Sequence, residues 1–347
     1  MKNIVALSIL AAVGVSCGAQ EEKNEPASGS FLTDETLGGE AVGVNVDEAT
    51  SALSDSTMNF YGLPLVELSE VNRDRELLRE CKVEGEAAKV TISRTLDHSS
   101  IMEHRHKRIT KSILGEKSIT RTWSHPESAV VCNDARTHAK IDWESQMVGL
   151  KLEAAFKRSH TVTIGMEWLT SGKVSSKINS LNAAGSRTVT WSAHEVGETT
   201  VTDVKTIETQ VTRSHLVMNS KGEKVNMEWQ LATKEGAPLE VEVVRNQASR
   251  ELVSKSIKSG TLVSIRKNDG KIESQFDNFK LSFAAGSCKF ESGTVTLSFY
   301  KEGEESAVRN YKLAIDSEGG AMLTDVATGA EVSDFEVAPC SMVDFKY

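Results

Sequence analysis

The stretch Glu103-His104-Arg105-His106-Lys107-Arg108 sets two imidazoles and three longer cations beside one carboxylate. Extended as a strand, it puts His104, His106 and Arg108 on one face, because successive side chains alternate sides. Two imidazoles at that spacing can share a transition metal, with His98 or His125 brought in by neighbouring strands as a third ligand. The same face can instead hold an anionic headgroup or glycan phosphate, or an acidic partner, through charge-assisted hydrogen bonds. It can equally be a solvated strand face whose opposite side, with Ile101, Ile109 and Ile113, packs inward.

Other chemistries lack their residues. A hydrolase elbow needs Gly-x-Ser-x-Gly, which does not occur. His194-Glu195 is followed by Val-Gly-Glu, so the second histidine of a zincin helix is missing, and no phosphate-cradling glycine loop is present. A glycosidase pair is defined by separation in space, so dispersed carboxylates leave an envelope hydrolase open as an alternative. No catalytic residue and no cofactor are expected.

Trp123, Trp143, Trp168, Trp191 and Trp229 have two uses, stacking on sugars or lipid in a groove, or core packing. Trp168 and Trp229 continue apolar faces, which favours the core. The threonine-rich run from Thr199 to Thr212 is too polar for a doubly buried strand and is expected at a sheet edge or on an exposed face, where it can recruit a partner strand.

The elements that position these residues read as strands. Beyond residue 85 the chain alternates apolar and polar, as in Val162, Ile164, Met166 and Trp168 against Thr161, Thr163, Gly165 and Glu167. One dry and one wet face indicate an antiparallel sheet. Hairpins are expected where Lys234-Glu235-Gly236-Ala237-Pro238 separates Leu231 from Leu239, where Asn268-Asp269-Gly270 separates Ile265 from Ile272, and where Lys301-Glu302-Gly303 separates Phe299 from Tyr311. Leu65 to Cys81 has the spacing of a short helix. The predicted fold is all-β, an antiparallel meander forming a sandwich or a partly closed barrel.

All eight histidines and all five tryptophans lie between residues 98 and 229. This asymmetry suggests a central β module over 56–248 and a C-terminal β module over 249–347, although a continuous meander also fits. Thr122-Trp123-Ser124 and Thr190-Trp191-Ser192 form a weak internal echo.

The net charge of −9 belongs mostly to residues 18–55, which hold nine acids and a single base, Lys23. That segment has little to bury and reads as a disordered spacer. The rest is close to neutral, with no basic surplus to displace phosphate counterions, so a nucleic-acid partner is not expected.

At the start, Lys2 precedes an apolar run from Ile4 to Val15, the pattern of an export signal and too short to cross a bilayer. The run ends in Gly14-Val15-Ser16-Cys17, which resembles the lipobox of bacterial lipoproteins, with Gly14 where that family prefers Leu. The resemblance implies that residues 1–17 are a signal peptide with a lipobox-like end, cut at Cys17, which stays on the mature chain and carries the lipid. Gly18 in place of Asp after that cysteine resembles the outer-membrane class. Ordinary secretory cleavage nearby is the alternative, leaving a periplasmic or secreted protein. With Cys17 set aside, Cys81, Cys132, Cys288 and Cys340 form an even set suited to an oxidising compartment. Similar separations favour pairing Cys81 with Cys132 and Cys288 with Cys340. The expectation is a cell-envelope lipoprotein acting as a non-catalytic binding or structural module on the membrane, with an envelope protein, lipid or glycan as partner. A carrier of a lipid or other apolar ligand in a curved sheet is the runner-up.

Overall fold

A computed structural model describes residues 78–332, apart from breaks at 105, 143–144, 219–223, 267–269, 285–286 and 317–319. The export signal, Cys17, the acidic spacer, Cys340 with its proposed bridge to Cys288, and Trp143 lie outside the described residues, as does residue 65–77 of the expected helix. The end of that helix is corrected: Leu78 to Cys81 begin a strand, because Leu78, Glu80 and Cys81 pair with Ser93, Thr91 and Val90.

Fifteen strands follow in order: β1 (Leu78–Glu84), β2 (Ala87–His104), β3 (Lys107–Ser124), β4 (Val131–Cys132), β5 (Ala139–Lys140), β6 (Lys151–Trp168), β7 (Val174–Val196), β8 (Thr200–Met218), β9 (Lys224–Thr233), β10 (Leu239–Asn246), β11 (Leu252–Arg266), β12 (Gly270–Ala284), β13 (Ser287–Tyr300), β14 (Arg309–Ile315) and β15 (Ala321–Asp325). No helix occurs among the described residues. Thirteen of the strands form one antiparallel sheet, and β4 pairs with β5 in a second, small one. Most neighbours in the large sheet are neighbours in sequence, with β4 and β5 set into the β3–β6 connection; β8 also pairs with β10, and β9 with β11. The boundary expected between 248 and 249 falls in the β10–β11 turn, and main-chain pairing continues through it from Glu240↔Ser259 to Arg245↔Leu252.

The expected hairpin between β9 and β10 is corrected. The two do not pair with each other; each pairs with both β8 and β11. β9 takes Gln210 to Met218 of β8, and β10 takes Thr200 to Ile207. They lie end to end as one interrupted strand, which closes a small ring of pairings, and Lys234–Pro238 is an excursion from it. Lys234 N–H donates to Thr261 O and Thr261 N–H to Ala237 O, stitching the excursion to β11. Gly260 accommodates it at φ 125°, where a Cβ would collide with Pro238 O and Leu239 Cα. The turn residues did signal a reversal, but a second reversal restores the original direction. The other two expected hairpins form, closed by Arg266↔Gly270 and by Phe299↔Arg309.

Of the two places expected for the threonine run, a sheet edge or an exposed face, the structure shows the second. β8 is central, with β7 on one side and β9 and β10 on the other. Its alternate residues Val201, Ile207 and Val211 are buried while Glu208, Gln210 and Thr212 are exposed. The polar residues thus describe one wet face, not an edge.

One face of the sheet carries a contiguous apolar cluster from Cys81 to Leu323. The β3–β6 connection adds Val130, Met147 and Leu150 to it, and a disulfide joins Cys132 to Cys81, as the cysteine spacing suggested. β2, β3, β6, β7 and β8 are far longer than the usual five or six residues. The 18 residues of β3 span roughly 60 Å at about 3.3 Å per residue. Their far ends run beyond the apolar cluster as an arm.

Candidate functional site

The arm is built by register. Ile109 pairs with Met102 and Met166, Ile113 with Val162, and Lys117 with Arg158, so these side chains share a face. Towards the body that face becomes the core, through Ile119, Arg121, Leu152 and Phe156. On β3 it carries Lys107, Ile109, Lys111, Ile113, Lys117, Ile119, Arg121 and Trp123 in strict alternation apart from Gly115. On β6 it carries Arg158, Val162, Ile164, Met166 and Trp168. No acid occupies an inward position on β1, β2, β3, β6 or β7. Glu103, Glu116, Glu153 and Glu167 all stand on the opposite face.

The two faces differ in electrostatics. On the outer one, Arg108 Nε donates to Glu103 Oε1 at 2.8 Å and Arg108 Nη1 to Glu167 Oε2 at 3.3 Å, a row across three strands. These carboxylates hold the guanidinium's pKa above its ordinary value, chiefly through the Glu103 hydrogen bond. On the inner face the cations lie on rings and apolar walls. Lys107 Nζ sits 3.8 Å from the centre of the Trp168 ring, and Lys205 Nζ 5.1 Å from that of Trp191. Arg121 is only 8 % exposed, and its Nε and Nη2 have no hydrogen-bond partner. Burial, then the nearby Arg79, push its pKa down to about 10.

A second charged group lies at the β7–β8 hairpin, at the end of those strands opposite the arm. Asp203 Oδ1 receives His194 Nδ1 at 2.7 Å, and Asp203 Oδ2 receives Arg245 Nη1 at 3.2 Å. Lys205 and Lys255 are buried beside them. Burial, followed by Lys205 and Arg245, pushes Lys255 down to about 7.

The expected strand face of His104, His106 and Arg108 is corrected. β2 ends at His104 and β3 begins at Lys107, the two being paired, so His106 lies in the turn between them. Arg108 follows on the outer face, bound by its two carboxylates, and offers little free charge to an anion. His125, proposed as a third metal ligand, lies beyond the other end of β3. His98 pairs with Ile113 through its backbone, midway along the arm. Among the described residues no three histidine, cysteine or acidic side chains come together as a metal set.

His125 instead closes a turn beside an open cleft of about 690 Å³ lined by Ser128, Lys140, Asp142 and Gln146, among others. Its Nε2 lies 2.9 Å from Val148 O, a pure acceptor, so Nε2 carries the proton. Nδ1 then accepts from Glu127 N–H at 3.2 Å and from the Ser128 hydroxyl at 3.0 Å. This Ser–His contact has the residue types of a nucleophile and base. The lone pair that would take the serine proton is, however, already shared with a main-chain N–H of the same turn, which makes the ring a clip.

The tryptophans divide. Trp191 is buried and its ring centre lies 6.0 Å from that of Trp123, so the echoed Thr-Trp-Ser segments meet in the core. Trp168 is half-buried under Lys107 on the arm. The basic inner face escaped the sequence reading, although its signal was there: lysine and isoleucine alternate at every second position from Lys107 to Ile113. No protein-family model, curated protein or solved structure matches the chain.

Proposed function

We propose that this chain is a non-catalytic binding module of the bacterial cell envelope, exported and tethered at the outer membrane by a lipid on Cys17, that takes an anionic, partly apolar ligand on the inner face of its long strands. The observation that supports the ligand class is the acid-free inner face of β3 and β6, where Lys107, Lys111, Lys117 and Arg158 alternate with Ile109, Ile113, Val162 and Ile164. Apolar rows fit hydrocarbon, and the adjacent cations fit phosphate or carboxylate through charge-assisted hydrogen bonds. The described side chains of β3 on this face are half-buried in the arm, as a ligand-lined sheet needs to be. This favours the carrier form of the reading over a purely structural module.

Vesicles of phosphatidylglycerol and of phosphatidylcholine are the probe. The full chain binds the anionic vesicles preferentially, and a Lys111→Gln/Lys117→Gln variant loses most of that preference while keeping its unfolding midpoint. Equal binding to both lipids, or an unchanged preference in the variant, refutes the ligand class. The tether has its own test in palmitate labelling, which Cys17→Ala abolishes; labelling that persists in the variant removes the anchor.

A further inference from the structure

We infer that Arg79 and Arg121 together form a binding site for one phosphate-class oxyanion, at the body end of the basic inner face. This assignment rests on the reading of that face as a site for an anionic ligand and names where the anionic group is held.

The geometry comes from the register. Arg79 of β1 lies across from Ile92 of β2, which lies across from Ile119 of β3; Arg121 is the next inward residue along β3. Two strand spacings of about 4.8 Å and one two-residue step place the two Cα atoms roughly 12 Å apart. Two arginines over that span can reach one small anion from both sides. The floor between them is apolar, Val90 and Ile92 of β2.

Three observations converge on an anion. Arg121 is more than nine-tenths buried, yet its Nε and Nη2 donate to nothing; Arg79 Nε is also buried without a partner. A buried guanidinium with idle donors is strongly disfavoured unless a counter-charge fills the gap. The strand neighbours of Arg121 cannot supply one, since Val90 and Ala154 flank it and Ile119 and Trp123 precede and follow it on the same face. The two guanidiniums also lie close enough to repel, and burial and that repulsion both lower the affinity of Arg121 for its proton. An oxyanion reverses both penalties, with two or three oxygens accepting from the idle N–H groups. Phosphate fits better than a single carboxylate, because it offers acceptors in several directions to donors arriving from two strands.

The site is held rigid at the Arg79 end. Cys81 stands two positions on along β1 in the same face and is bonded to Cys132, and Cys81 N–H donates to Arg136 O at 2.7 Å. The bridge locks the edge strand that carries Arg79 against the β4–β5 excursion, which fixes the distance between the two arginines.

The test uses the full chain and inorganic phosphate, with chloride at equal ionic strength as control. Phosphate raises the unfolding temperature of the wild type in a saturable way, as expected for a ligand that binds only the native state. Arg121→Met abolishes that rise and unfolds at a higher temperature than the anion-free wild type, since it removes a buried charge. Arg79→Gln weakens phosphate at least tenfold. Dihexanoyl phosphatidic acid separates the two sources of phosphate: binding at least tenfold tighter than inorganic phosphate assigns the site to a lipid headgroup, and equal binding assigns it to a free ion. No saturable difference between phosphate and chloride, or an equal rise in Arg121→Met, overturns the site whatever the vesicles do. Saturable phosphate binding without any preference for anionic vesicles leaves the site standing and overturns the proposed lipid function.

Discussion

The two ends of the sheet use the same alternation for different purposes. In β11 to β15 the inward positions are mostly apolar and dry, with Leu262, Phe279, Val295, Leu297 and Leu313 fully buried and Lys255 an exception. In the arm the inward positions alternate lysine with isoleucine, and around its tip Ile101 is 71 % and Met102 63 % exposed. A strand face that only has to fold admits little charge, because each buried cation costs desolvation. A face that keeps its cations inward, with every neighbouring acid turned outward, is arranged for something other than folding.

That contrast can be broken by measurement. The largest effect belongs to the C-terminal core: Phe279→Ala, which removes a ring packed against Phe276 and Phe290, costs about 3–5 kcal/mol in urea unfolding. Ile113→Ala in the arm costs less than about 1.5 kcal/mol, because its site is already partly open. Equal losses would end the distinction between a folding face and a binding face.

Next comes the bridge between Cys81 and Cys132, 51 positions apart. Replacing both by serine costs about 4 kcal/mol in the chain-entropy model. Calorimetry under oxidising conditions measures it, and a loss below about 1 kcal/mol would mean that the β3–β6 excursion is held by its apolar contacts alone.

The charged group beside the β7–β8 hairpin should show a pH signature. Lys255 titrates near 7 in the folded protein, pushed down by burial and by Lys205 and Arg245, with Asp203 and His194 nearby, and at about 10.5 when unfolded. Between those values the unfolded chain binds more protons, so stability rises as pH rises from about 7 to 10.5 and levels off below 7. Lys255→Met should raise the unfolding midpoint at pH 7 and flatten that slope. A midpoint that falls in the variant at pH 7 would show the ammonium to be a net stabilising partner of its neighbours.

The smallest effect is on the outer face of the arm. Glu103→Gln breaks an exposed cross-strand pair with Arg108 and should leave the unfolding midpoint unchanged within error. A clear drop would mean that the arm depends on its outer ion pairs.

Much of the architecture was legible. Val162 to Trp168 named the face that turns inward, though Val162 is buried while Ile164, Met166 and Trp168 are half-buried, the turn before Gly270 closed a true hairpin, and the cysteine spacing identified one bridge. The failures share a cause. Lys234–Pro238 reports a local reversal without reporting how many reversals follow, and the threonines of β8 leave open whether their strand is an edge or a central one with a wet face. Glu103–Arg108 reads as one strand, yet the chain turns at His106 and sends Arg108 outward to its carboxylates. The candidate site was half legible: lysine–isoleucine alternation is visible at residues 107–113, but whether lysine or threonine faces inward depends on where the apolar cluster sits.

By itself, then, the sequence determined the strand period, the antiparallel class and the location of the chain's acidity in residues 18–55, because side-chain alternation and turn chemistry are local properties. Tertiary structure alone decided which face is inside, that β9 and β10 share one place in the sheet, and that Arg79 and Arg121 come within reach of one anion. Those outcomes depend on register between strands distant in the chain, and a shift of one residue in that register would turn every side chain of a strand to the other face.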